Sequence, residues 1–236
     1  MHFAGVFFDP SSTPAEVQGL LGAGKVQVHA RRSVVSAAGQ LAPDWVYVKK
    51  GVLGVRVAAR PDEPAVWADL LTAGHSWAFP PSGGFRLSVV ELVALTPCEV
   101  LTLPQPVYKE LCNASLEWTR AQLHATQRAL LRCQLRRAVD ALPLESKLAC
   151  FWWALSTPTA DGTRLFSGHI SQQIQASFLR VSREEVSRKT QMLENAGYLQ
   201  VENRRVIVFP DVSFLLSFQE QWASLFERTM EGPLDC

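Results

Sequence analysis

The stretch Ser182-Arg183-Glu184-Glu185-Val186-Ser187-Arg188 constrains the fold of this chain more than any other. Ser182 suits the N-cap of a helix, because its hydroxyl can accept from an unpaired N–H of the first turn. Glu185 stands three residues on, where it can reach back to the Ser182 N–H and complete a capping box. Val186 and Leu193 lie seven apart and give the helix a buried side. Arg183, Glu184, Ser187 and Arg188 then share the opposite side. Arginine grips a guanine edge with two hydrogen bonds, and glutamate accepts from a cytosine amino group. A helix showing such groups at its N-terminal end suits the major groove of double-stranded DNA.

The flanks agree. Ser171 to Leu179 reads as a shorter helix, followed by a tight turn through Arg180 and Val181. Ala176 lets the two helices cross closely, and Phe178, Leu179 and Val181 can pack beneath the second. This is a helix-turn-helix pattern. Asn195-Ala196-Gly197 supplies a stop, with Gly197 available for the left-handed conformation. Tyr198 to Val201 and Arg205 to Phe209 then read as two strands of a hairpin, the wing.

From Ile170 to Phe209 the chain resembles the DNA-binding domain of the CRP/FNR family of bacterial transcription regulators. The resemblance rests on Ser-Arg-Glu-Glu-Val-Ser-Arg followed by Met192-Leu193-Glu194. It implies that Glu184, Ser187 and Arg188 are the base-reading set of the FNR branch, with Arg183 at a further base or phosphate position. Ser171, Gln172, Ser182, Lys189, Arg204 and Arg205 are the expected phosphate contacts. Two positions depart from the family. Arg180 stands where the turn usually holds a glycine, and Gln175 where isoleucine is usual, so a rotated or shifted first helix is expected.

Before this region the chain changes period twice. From Val26 to Leu103 short apolar alternations are separated by Gly, Pro and Asp, as in a sandwich or barrel. Trp45-Val48, Gly54-Val57, Ala65-Trp67, Leu87-Leu95 and Cys98-Leu103 are strand candidates. Their order and spacing are similar to the cyclic-nucleotide-binding jelly roll of the same family. From Gln105 to about Val139 the period becomes helical. Leu116, Leu123 and Leu130 recur every seven residues, the seam of a two-stranded coiled coil and the expected dimer interface. Ala141-Leu142-Pro143 breaks the helix, and Leu144 to Leu155 forms another. The loop Thr157 to Thr163 is turn-rich. Val212 to Met230 reads as a terminal amphipathic helix.

The expected fold class is therefore α+β. A jelly-roll sensor domain occupies residues 1–104, a dimerisation helix 105–140, and a winged helix-turn-helix domain 141–236.

In nucleotide-binding members of the family, a Gly-Glu pair and an Arg-Ser pair hold the ribose and cyclic phosphate. By spacing, Phe79 replaces the glutamate here, Ser88 and Val89 replace the arginine–serine pair, and Arg86 falls out of register. The pocket set is His75, Trp77, Phe79, Arg86, Ser88 and Val89. It argues against cyclic AMP and leaves three readings open: a pocket filled by aromatic side chains, another more apolar ligand or haem, or a cyclic nucleotide held in an altered way. His75 is the candidate haem ligand.

Composition enters where it excludes. Of 236 residues, 47% are hydrophobic and the formal net charge is only +1, so total charge does not advertise nucleic acid. Between Arg164 and Arg205, however, seven basic residues face four acidic ones, a locally basic balance that suits phosphates. The five cysteines form no C-x-x-C pair and read as reduced thiols of a cytoplasmic protein. No run of 18 apolar residues marks a membrane span. No G-x-S-x-G, H-E-x-x-H, Walker loop or Rossmann fingerprint points to an enzyme. The expected partners are DNA, a second copy of the chain and, for an activator, RNA polymerase. A winged helix that binds protein is the competing reading; it would expose apolar groups on its recognition face.

Overall fold

The computed structural model describes residues 24–40, 45–57, 66–78, 88, 90–160, 164–166, 169–202 and 205–208. Eight strands come first: β1 (Lys25–His29), β2 (Val34–Ser36), β3 (Trp45–Lys50), β4 (Val52–Val57), β5 (Val66–Thr72), β6 (Ser76–Trp77), β7 (Val90–Ala94) and β8 (Cys98–Leu103). They form two antiparallel four-stranded sheets, β1-β8-β3-β6 and β2-β7-β4-β5. Val46, Val48, Leu53, Val55, Leu71, Leu92 and Val100 fill the space between them. Strands β3 and β4 run almost continuous in apolar residues, because both of their faces are covered. Gly51 joins them at φ 87°. A Cβ there would lie 2.3 Å from the Pro97 carbonyl oxygen, so only glycine fits.

Two helices follow, α1 (Gln105–Ala114) and α2 (Leu116–Asp140). The helical period predicts one element over this span, but Ser115 interrupts it with an extended backbone. Its hydroxyl accepts from the Trp118 N–H at 3.1 Å and so caps α2. The break lets α1 fold back on the first sheet, where Tyr108 and Trp118 pack edge-on with Trp45 nearby.

After Pro143 come α3 (Leu144–Leu155), β9 (Ser156–Pro158), β10 (Arg164–Phe166), α4 (Gln172–Leu179), α5 (Arg183–Asn195), β11 (Leu199–Glu202) and β12 (Arg205–Val208). The last four described strands form a third antiparallel sheet, β11-β12-β10-β9. Thr157 and Pro158, expected in a loop, are paired with Leu165 and Arg164; only Thr159 and Ala160 of that segment are described outside a strand, and both are exposed. The expected helix at 212–230 lies outside the described residues.

The two halves share one core. Trp67 and Leu70 of β5 pack in the same cluster as Phe151 and Trp152 of α3, Leu179 of α4 and Val186 of α5. Arg136 of α2 reinforces the junction. It donates to the carbonyls of Trp67 (3.0 Å), Ala68 and Phe178 (2.8 Å), and its guanidinium lies 3.9 Å over the Phe178 ring. Arg31 adds a 2.7 Å bond to the His169 carbonyl. Among the described residues, no helix is long and apolar enough to cross a membrane.

Candidate nucleic-acid interface

Helix α5 begins at Ser182 with both halves of the capping box formed. The Glu185 N–H donates to the Ser182 hydroxyl at 3.1 Å, and the Ser182 N–H donates to Glu185 Oε2 at 3.0 Å. The Ser182 hydroxyl gives its own proton to the same carboxylate at 2.8 Å. These bonds hold the Glu185 carboxyl below its ordinary pKa. In the free chain the Ser182 side chain is thus engaged as a cap.

Val186, Thr190 and Leu193 face the core. Thr190 folds its hydroxyl back onto the Val186 carbonyl at 2.7 Å, which hides a polar group on the buried side. Arg183, Glu184, Ser187 and Arg188 are all exposed. They occupy one side of the first two turns, and the N–H groups of that end add positive character. Lys189, expected at a phosphate, instead donates to Glu145 of α3. Its charge is paired within the chain by that carboxylate.

Helix α4 accommodates both departures. Arg180 adopts the left-handed conformation at φ 56°, ψ 45°, the one a glycine would supply. Its side chain reaches toward Asp140 at 3.8 Å. Gln175 stays buried, 4% exposed. Its side-chain oxygen accepts from Trp152 Nε1 at 2.9 Å, and its amide donates to the Ile170 carbonyl at 3.1 Å. No shift of the helix is needed, because Trp152 supplies the partner that an isoleucine would not require. Ser171 caps α4 through the Ile174 N–H at 3.4 Å, with Gln172 beside it. The backbone of Arg205 lies in β12, paired with Glu202; its side chain, and Arg204, lie outside the described residues.

Leu116, Leu123 and Leu130 are 65%, 56% and 59% exposed along α2. An isolated chain thus shows an apolar stripe to water, although other faces of the helix bury Trp118, Arg132 and Val139.

The jelly-roll pocket set is less open. The Ser88 hydroxyl donates to the Val90 carbonyl at 2.6 Å, and Ser88 itself is 2% exposed. Trp77 packs against the core between the sheets. His75 Nδ1 accepts from the Thr72 N–H at 3.1 Å, so that nitrogen does not suit a haem iron. Burial, helped by the charges of Arg132 and Arg128, pushes its pKa down to about 3. Phe79, Arg86 and Val89 lie outside the described residues. Among the described residues, no group of three or more His, Cys, Asp or Glu side chains could hold a metal ion.

The described elements are thus two packed antiparallel sheets, a short and a long helix, and three further helices with a small third sheet. Solved structures with a similar fold include transcriptional regulators of the CRP/FNR and CRP families and proteins described as cyclic-nucleotide-binding. FixK2 from Bradyrhizobium japonicum matches with a TM-score of 0.70 and 13% identity, over 83% of this chain and 96% of its own. A CRP/FNR-family regulator from Thermus thermophilus matches at 0.64 and 16%, over 83% and 98%. CLP from Xanthomonas campestris, a c-di-GMP-responsive global regulator, matches at 0.63 and 18%, over 82% and 97%. At these identities the likeness is one of fold. No protein-family model and no curated protein sequence matches the chain.

Proposed function

We propose that the chain is a homodimeric, sequence-specific DNA-binding transcription regulator of the CRP/FNR type. One observation carries this reading. Four polar side chains stand exposed at the start of a capped helix, and none bonds to another described residue. In this reading α4 and α5 form the helix-turn-helix and β11–β12 the wing. Arg188 holds a guanine, Glu184 accepts from the amino group opposite, and Ser187 approaches a thymine. Arg183 takes a base or phosphate. Ser171, Gln172, Arg204 and Arg205 contact phosphates and set register without reading sequence. The stripe Leu116-Leu123-Leu130 pairs two copies, which places the recognition helices about 34 Å apart in successive major grooves.

The operator is then a near-palindrome with TGA in each half-site, TTGAT-like. Cyclic AMP is not the effector, since the Ser88 hydroxyl is committed to Val90 and a buried phosphate without a paired cation is strongly disfavoured. In an activator, the segment Thr157 to Thr163 is the contact for RNA polymerase.

Selection of bound sequences from random DNA tests the reading and should return that palindrome. Arg188→Ala should cost roughly 1–3 kcal/mol on it and relax the preference at the guanine, whereas Arg205→Ala should weaken all sequences alike and flatten the salt dependence. A selection without a TGA-containing palindrome, or identical behaviour of the two variants, would sink the assignment.

A further inference from the structure

A cavity of about 70 Å³ lies where the two halves of the molecule meet. Its walls come from four elements: β5, α2, α3 and α4. Apart from a few polar groups they are apolar, with Leu70, Val139, Phe151, Ala154 and Phe178 among them. Arg132, Arg136 and Lys147 also line the cavity, against the single carboxylate of Asp69. The lining therefore carries a net +2 beside an apolar hollow.

The two arginines sit one turn apart on α2 and are treated very differently. Arg136 donates to three backbone carbonyls and lies over the Phe178 ring. It clamps β5 to α4 and so fixes two walls of the cavity. Arg132 is more deeply buried, its side chain 8% exposed, and makes one long contact, 3.4 Å from Nη2 to Asp69 Oδ2. Its Nε is buried without a hydrogen-bond partner. Asp69 is itself shared, since its other oxygen accepts from the Leu70 N–H at 2.8 Å. A guanidinium offers five donors, and leaving them unmatched in the interior is costly. Arg132 is thus an under-satisfied cation in the wall of an apolar cavity.

We propose that this junction cavity is a binding site for a short-chain aliphatic carboxylate. The acyl tail occupies the apolar hollow, and the carboxylate takes the open donors of Arg132. Charge-assisted bonds to a guanidinium are about twice as strong as neutral ones, so the head group supplies specificity while the tail supplies burial. The hollow is smaller than the cavity of about 150 Å³ that accepts benzene in another protein, which keeps the tail short. Inorganic phosphate is the poorer occupant, because it has no apolar part and would set charged oxygens against Leu70, Val139, Phe151 and Ala154.

The full chain should be titrated with pentanoate, 1-pentanol, pentylamine and inorganic phosphate, with binding read by saturation-transfer NMR and by the shift in Tm. Pentanoate should bind in a saturable way, roughly tenfold or more tighter than the alcohol, the step that one lost charge-assisted contact corresponds to. Pentylamine and phosphate should not bind. Arg132→Met keeps the volume and should reduce pentanoate to the level of the alcohol. Asp69→Asn removes the competing carboxylate and should tighten it. Ala154→Phe, which fills the hollow from α3, should abolish binding; it decides the matter if Arg132→Met fails to fold. Equal affinity for pentanoate and pentanol, no saturable pentanoate binding, or pentanoate binding unchanged by Ala154→Phe would overturn the proposal. None of these measurements involves DNA, so their failure leaves the recognition-helix reading untouched, and the reverse also holds.

Discussion

Ser88 and Ser187 are both serines that the sequence marks for a ligand, and their surroundings differ sharply. Ser88 is buried in the jelly roll with its hydroxyl on the Val90 carbonyl. Ser187 is exposed on α5 among Arg183, Glu184 and Arg188. The same contrast separates the two regions as wholes. In the jelly roll, Trp77 joins the core and His75 accepts from Thr72. On α5 and along α2, polar and apolar groups are left facing water. A buried polar group must find its bonds inside the fold. One left unmatched on a rigid, capped helix is available to a partner.

The largest test of this contrast is the stripe on α2. Burying a leucine contributes roughly 1.5–3 kcal/mol, and a dimer buries three from each copy. Leu123→Glu with Leu130→Glu should give monomers by light scattering. Since two half-sites would no longer act together, operator affinity should fall about a hundredfold or more. The jelly roll should keep its fold, because neither residue lies in its core. A double variant that remains dimeric would show that the stripe is not the seam.

Next in size is a group committed inward. Gln175→Leu restores an apolar residue at a position that resembles an isoleucine site, yet it should destabilise the chain. Trp152 Nε1 would lose its acceptor, and an unsatisfied buried donor costs about 1–3 kcal/mol. Denaturant unfolding measures it. Gln175→Leu combined with Trp152→Phe should recover most of the loss, since neither residue then buries an unpaired donor. A single variant as stable as the parent would mean that the bond contributes nothing.

That pair also shows where sequence reading stops. The capping box at Ser182 was legible because its bonds span three residues, and Leu144–Leu155 because its bounds are set by Pro143 and its own period. Cys98–Leu103 was readable as an apolar run ending at Pro104. The Trp152–Gln175 bond joins residues 23 apart, and the Arg136 clamp reaches 69 residues back to Trp67. No local pattern announces either. Strands β9 and β10 were hidden for a similar reason. Each has three residues, too few to display alternation; β10 exists because β12 provides an edge to pair with, and β9 because β10 then does the same. Ser115 was overlooked because a heptad count does not register a break that precedes its first leucine. At α5 the sequence named the exposed set correctly. It could not foresee that Lys189 would be held by Glu145, 44 residues away along the chain.

The smallest expected effect vanishes at neutral pH and appears only on acidification. The His75 pKa is pushed down to about 3 in the folded chain, first by burial and then by the charges of Arg132 and Arg128. In the unfolded chain it returns to about 6.5. Above pH 6.5 neither state carries the proton, so the residue adds no pH dependence. As pH falls from about 6.5 toward 3, the unfolded chain binds a proton that the folded chain refuses, and stability is lost at no more than about 1.4 kcal/mol per pH unit. His75→Asn places a side-chain oxygen where it can accept from the Thr72 N–H without taking up a proton. The variant should match the parent at pH 7.5 within about 1 kcal/mol, as a conserved hydrogen bond allows. It should then lose less stability than the parent between pH 6.5 and 5. His29, whose pKa is also lowered by burial, titrates alike in both proteins and cancels in the difference. Parallel stability curves would mean that His75 is open to solvent and protonates freely, and the contrast between an inward-committed jelly roll and an outward-facing α5 would lose one of its supports.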